Sequence, residues 1–298
     1  SDRRKISLLN VDFKVMTGIE AARIRKSMTR TISHNQLVTG GDRRISHGVA
    51  KARDAIHAAS SLKTGCGILD TDLVAAFCNM VLTWCLQVLE RKGLSEKVIK
   101  RYENLYKDHV SIIVVNSCLG RSIKNARLTI RQGDKFAMEL FTFGMDPVLT
   151  YLEKRLKGIM VHSLPVQGPV PQNSSSLVPT VLAQPNLPGF PMLPAPPKTQ
   201  LVSKATLPPI VTKYTLTAYC DDLKPAITNM YEFHLVERVM TVFELSSGCK
   251  MHRDPESQKC KFLPLSKWKT LSQNEIPFNF FTISDHLDFL GVTLKANT

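Results

Sequence analysis

Residues 215–227 read TLTAYCDDLKPAI, and the fold turns on what two adjacent aspartates are doing there. Tyr214, Leu216 and Ala218 before them, and Leu223, Ala226 and Ile227 after them, have the composition of paired strands. Asp221 and Asp222 therefore fall at the tip of an apolar hairpin. Two neighbouring carboxylates repel each other. Either water solvates them as an ordinary turn, or a cation holds them.

A second acidic pair, Asp70 and Asp72 in LDTD, follows the short apolar run GIL at 67–69 and precedes a helix beginning near Phe77. Acidic residues at two strand ends, brought together on one sheet, make an oxygen-rich site suited to Mg²⁺. Taken singly, LDTD is also the form of a helix N-cap and DD the form of a turn, and both alternatives stand. The charge balance bears on the choice. Thirty-nine Lys and Arg against 25 Asp and Glu leave a formal charge of +14. Such an excess favours a polyanionic partner, nucleic acid before an acidic membrane surface.

With 298 residues, 43% of them apolar, the chain has the means to bury a core, which excludes wholesale disorder. No run of eighteen apolar residues is present, so no membrane span is expected. The seven cysteines form no C-x-x-C pair, and Cys249, His252 and Cys260 lack a fourth ligand at zinc-finger spacing. Reduced, mostly buried thiols in an intracellular protein are expected, with cytoplasm and nucleus both open. The opening SDRRKISLLN has no secretory leader and starts in mid-pattern, as a fragment of a longer polypeptide would.

Helical spacing predicts helices over Val11–Met28 (on Phe13, Met16, Ile19, Ala21 and Ala22), Asn79–Lys92 closed by Gly93, and a stretch capped by Ser95 through Asp108. Further helices are expected over Phe136–Leu156, strained by Pro147, and Thr228–Leu245. VSIIVV (110–115) and ARLTI (126–130) read as strands joined through a Gly-containing turn, and a last strand pair ends in FLGVTL. Twelve of the 17 prolines fall within 163–209, which predicts an extended insertion or linker. The order of elements is that of an α+β fold, an antiparallel sheet packed on helices.

The motifs in order resemble the reverse transcriptase domain of a non-LTR (LINE-type) retrotransposon. RKISLLNVDFK (4–14) resembles the fingers motif of that family, with Lys5 where proline is usual. SHNQ (33–36) and DRRI (42–45) resemble its Gln…GR-x-I segment, with Asp42 in place of the glycine. LDTDLVAAF (69–77) is similar to the first palm motif, in which an Asp precedes an aromatic by five residues, and RQGD (131–134) to the second. AYCDD (218–222) resembles the Y-x-D-D box, SSGCKMH (246–252) with Lys259 the motif after it, and FLG (289–291) the last palm strand. Any one of these is weak, but several in the right order are specific.

The resemblance implies a right-hand polymerase: fingers over 1–62, the palm over 63–162 and 210–298, the insertion at 163–209, and no thumb. It implies two Mg²⁺ (or Mn²⁺) ions, with Asp72, Asp221 and the Leu73 carbonyl as metal ligands and Asp222 as a supporting catalytic carboxylate. Lys259 would be the general acid, with Lys261 and Lys250 as alternatives. Arg4, Lys5 and Lys14 would meet the triphosphate of a dNTP; for both lysines a solvated face is the alternative. Phe77 would stack under the sugar, or else be a plain core residue, and Gln132 and Gly133 would let the backbone approach the nucleotide. Gln36, Arg43, Arg44 and Arg131 would contact an RNA template and DNA primer. The implied protein is an RNA-directed DNA polymerase within a longer retrotransposon polyprotein. Departures from the pattern (Cys78 where an Asp is usual, Lys135 and Phe136 after RQGD, the insertion) keep open a catalytically inactive nucleic-acid-binding relic of the same fold. A third reading leaves the charge to a protein or membrane partner.

Overall fold

The computed structural model describes residues 7–38, 43–107, 110–124, 128–162 and 211–296. Arg4, Lys5, Asp42 and the proline-rich segment 163–209 lie outside them. The chain divides into a main unit, residues 1–161 with 213–298, and a small one, 162–212, of which only His162, Val211 and Thr212 are described.

The helices are α1 (Val11–Thr31), α2 (Ile45–Ser60), the single turn α3 (Ala76–Asn79), α4 (Leu82–Arg91), α5 (Glu96–Tyr106), α6 (Ala137–Arg155) and α7 (Met230–Ser247). The strands are β1 (Cys66–Asp70), β2 (Leu73–Val74), β3 (Val110–Val115), β4 (Cys118–Lys124), β5 (Ile159–His162), β6 (Val211–Tyr214), β7 (Leu216–Tyr219) and β8 (Asp222–Ile227). After α7 come β9 (Lys250–Met251), β10 (Cys260–Leu265), β11 (Phe281–Ile283), β12 (His286–Phe289) and β13 (Val292–Lys295). The architecture is α+β.

The main sheet has five strands in the order β11-β10-β1-β8-β7. Its ladders are antiparallel except at one edge, where β11 runs parallel to β10. The middle strand, β1, is apolar on both faces, because successive side chains of a strand point to opposite sides. Leu69 joins Leu223 and Phe262 in a core shared with α6 and α7. Ile68 joins Ala226 and Leu263 in a second core under α2 and the β12–β13 hairpin. Gly67 lets β10 approach: a Cβ there would stand 2.6 Å from the carbonyl oxygen of Leu263.

Several elements depart from expectation. On α1 the buried face is Thr17, Ala21, Ile24 and Met28, while Met16 and Ile19 are exposed. The helix expected from Asn79 starts only at Leu82. Val81 N–H donates to Ser247 O (2.8 Å) and Ile130 N–H to Met80 O (3.0 Å), which keeps that stretch extended between two neighbours. Thr129 makes a single bridge to Val81, so ARLTI is not the partner of VSIIVV. That partner is β4, reached through Asn116 and Ser117 at φ 47° and 65°. Ser95 stands at the N-cap of α5 without a side-chain cap bond. FLG spans the β12–β13 turn rather than a strand of the main sheet. Helix α2 went unpredicted; its buried face is Gly48, Ala52, Ala55, Ile56 and Ala59. No helix among the described residues is long and apolar enough to cross a membrane.

Candidate active site

Thr71 joins the two acidic motifs. Its backbone N–H and its hydroxyl both donate to the carbonyl of Leu223, each at 3.1 Å, so the end of β1 is fastened to the start of β8. Asp70 and Asp72 flank Thr71, and Asp222 precedes Leu223. The short β2–β9 ladder then fixes the chain beyond, pairing Leu73 with Met251, and His252 N–H donates to Asp72 O at 2.9 Å. Ala75, in left-handed conformation at φ 44°, turns the chain into α3.

On the other side, Tyr219 pairs with Asp222, leaving Cys220 and Asp221 as a two-residue hairpin turn. Cys220 adopts φ 52°, a conformation that usually favours Gly or Asn. Two contacts hold it there. Residues 35–37 run parallel beside β7, with Leu37 N–H donating to Ala218 O (2.8 Å) and Ala218 N–H to Asn35 O (2.9 Å). The buried amide of Gln36 accepts the Cys220 N–H at 3.2 Å. Its Nε2 has no hydrogen-bond partner among the described residues.

Asp70, Thr71, Asp72, Asp221, Asp222, Gln258, Lys259, Lys261 and Asp288 thus line one open cleft of about 350 Å³. Asp72 and Asp221 both open onto it, with Lys259 exposed at its wall. The carboxylate of Asp72 is 38% exposed and 3.7 Å from His252 Nε2. Asp70 and Asp222 are bound otherwise. The ammonium of Lys224, whose side chain is 1% exposed, donates to Oδ1 of each at 2.7 Å. Burial outweighs the opposing pull of Lys224 and leaves the Asp222 carboxyl raised to about 7. Asp70 shifts the same way for the same reasons. One ammonium balances one carboxylate, and burial penalises the charge on the second.

Among the described residues no group of three His, Cys, Asp or Glu has metal-holding geometry. Mg²⁺ and Mn²⁺ need none: they take one or two protein carboxylates and complete their shells with water and phosphate oxygens. Asp72 and Asp221, all-oxygen donors beside the Thr71 hydroxyl, fit such an ion.

Other residues singled out from the sequence lie elsewhere. The side chain of Leu73, next to Asp72, is buried; Phe77 is half-buried, stacked on Phe141 with ring centroids 4.7 Å apart. Gln132 carbonyl accepts the N–H of Ser7 (3.0 Å), and Gly133, at φ 105°, shapes the turn into α6. Asp134 of that turn accepts from the Tyr106 hydroxyl and from Phe136 N–H. Burial lowers the pKa of Arg131 beside it. Lys14 lies half-buried on α1, and Lys250 on β9 is outside the cleft wall. Two residues expected at the template have partners within the protein. Gln36 is fully buried against the acidic turn. Arg43 donates to the carbonyls of Thr29, Ile32, Ser33 and Gln36, closing the C-terminus of α1. Arg44, at the start of α2, is exposed. Sequence reading missed Thr71 and Lys224 as site residues, and placed Asp70 in the acidic pair without assigning it as a ligand.

No family model matches the sequence. Over 158 residues the chain is 23% identical to the Transposon TX1 uncharacterized 149 kDa protein of Xenopus laevis, a match covering 53% of this chain and 12% of the transposon protein. Among solved structures it is similar to telomerase from Candida albicans in complex with a TWJ fragment of telomeric RNA. That superposition has a TM-score of 0.49 and 8% identity, over 95% of this chain and 36% of the telomerase. Apo telomerase from Candida tropicalis, truncated from its C-terminal domain, gives a TM-score of 0.49 and 9% identity over 96% and 43% of the respective chains.

Proposed function

We propose that the chain is the fingers and palm portion of a retrotransposon RNA-directed DNA polymerase, adding dNTPs to a DNA primer on an RNA template. One observation carries the reading: Asp72 and Asp221, drawn from motifs far apart in the chain, open on the same cleft beside Lys259 and Lys261. The identity to a transposon protein supports it, as does the charge of +14. On this reading the fingers take in 1–62, the palm 63–162 and 210–298, and the chain works as part of a longer polyprotein.

Asp72 and Asp221 would hold Mg²⁺ or Mn²⁺, which supplies activation of the primer hydroxyl and neutralises charge on the leaving pyrophosphate. The two carboxylates set the position of the incoming phosphates. Lys259 and Lys261, on the same wall, balance the charge of the triphosphate, and either ammonium is within the cleft to give a proton to pyrophosphate. Thr71 keeps the two acidic motifs in register throughout.

The test is primer extension on a primed RNA template with Mg²⁺ or Mn²⁺. The expected result is incorporation that falls by a factor on the order of a thousand in Asp72→Ala and in Asp221→Ala, the several kcal/mol that metal-held charge supplies. Binding of primed template without incorporation under either metal would select the second reading, a nucleic-acid-binding relic. The engagement of Asp222 by Lys224 favours that alternative.

A further inference from the structure

Helix α7 carries two seams where a surface helix needs one. The inner seam, Phe233, Val236, Met240 and Phe243, is buried in the main core. The outer seam is Tyr231, Leu235, Arg238, Val242 and Leu245, spaced alternately four and three residues apart, as in helices that pair with another helix. It faces outward: Tyr231 is 72% exposed, Val242 58% and Leu245 84%. Beside it runs a groove of about 540 Å³, walled on its far side by Val148 and Tyr151 of α6 and Trp84 of α4. That wall is fixed. Trp84 Nε1–H donates to Gly144 O at 2.9 Å, and its ring meets Phe243 edge-on. The groove shares no residue with the acidic cleft.

Charge narrows what fits the seam. Arg238 stands at its centre, and Arg91 and Lys154 line the adjoining groove between α4 and α6. None of the three forms an ion pair among the described residues. The carboxylates nearby are already taken, Glu237 and Glu244 by Arg253 and Asp146 by Lys92. A second copy of the chain suits this surface poorly, because two α7 seams laid together about a two-fold axis set Arg238 against Arg238. Nucleic acid suits it poorly too, since Leu235, Val242 and Leu245 offer bases no ring to stack on. We propose that the outer seam of α7 docks an acidic amphipathic helix of a partner chain, apolar along one stripe and bearing carboxylates that meet Arg238. Apolar area supplies the affinity, and the pairing at Arg238 fixes the register. Such docking is independent of what the cleft does.

The experiment uses three fluorescein-labelled synthetic helices of about three heptads each, with binding followed by fluorescence anisotropy at about 150 mM salt. The first has leucine at the seam positions and glutamate beside them. In the second, lysine replaces the glutamate; in the third, serine replaces the leucine. The first helix is expected to bind at least about tenfold tighter than either control. Val242→Ser with Leu245→Ser, both at exposed positions, weakens it by about tenfold. Arg238→Glu transfers the preference to the lysine helix. Circular dichroism is unchanged in both variants, and any primer extension by the unaltered chain persists in them. No binding of the glutamate helix, equal binding of the serine helix, or binding that neither variant weakens overturns the proposal. A dimer in sedimentation that Val242→Ser with Leu245→Ser dissociates also overturns it, giving the seam to a second copy. Loss of oligouridylate binding in that same variant overturns it as well, giving the seam to nucleic acid.

Discussion

Arg43 and Arg44 are neighbours in a basic stretch and do opposite work. Arg43 ties four main-chain carbonyls at the end of α1, whereas Arg44 is exposed. Arg43→Met should therefore cost about 2 kcal/mol of stability, the worth of charged donors to groups otherwise left unmet. Arg44→Met should leave stability within about 0.5 kcal/mol, but weaken RNA binding and flatten its salt dependence by about one phosphate contact. Urea denaturation and filter binding at several salt concentrations separate the two. At this scale the sequence was half legible. Asp72 and Asp221 stand out because carboxylates at strand ends are chemically conspicuous. The backbone partners of Gln36 and Arg43 were not foreseen, because a polar side chain looks the same in sequence whether it meets phosphate or the protein's own backbone. Lys224 was invisible since its burial depends on Asp70, 154 residues away.

Strand β1 shows how an element's position follows from its residues. Cys66, Ile68 and Leu69 are all fully buried, so only a strand covered on both faces suits them. Gly67 lacks the atom that would collide with Leu263 O and the Phe262 ring. The backbone oxygen cannot move without breaking the β1–β10 ladder, so Gly67→Ala is expected to destabilise the fold by about 2 kcal/mol. A thermal melt checks it, and an unchanged midpoint would count against the packing just described. The apolar run at 67–69 was readable for the same reason. Helix α2 was not, because its buried face is built of alanine and glycine, whose 3.6-residue recurrence is quieter than that of leucine. The helix start at Leu82 was also hidden, since the extended Met80–Val81 stretch is imposed by Ser247 and Ile130, partners distant in sequence.

For the whole molecule the governing quantity is charge. With a formal +14, binding to primed template should weaken by about a hundredfold or more between about 50 and 200 mM salt. A flat salt dependence would point instead to a protein or membrane partner. The strand order of the main sheet has a further consequence, for synthesis on the ribosome. β1 is complete at Asp70, yet its two neighbours are β8 and β10, the latter ending at Leu265. At about 5–20 residues per second, a nascent chain would hold CGIL without either flanking strand for roughly 8–30 s and without both together for roughly 10–40 s. Contacts of such long range form slowly. The cleft is therefore among the last parts of the protein to exist, and a chain released before β10 has emerged would carry both acidic motifs and no site.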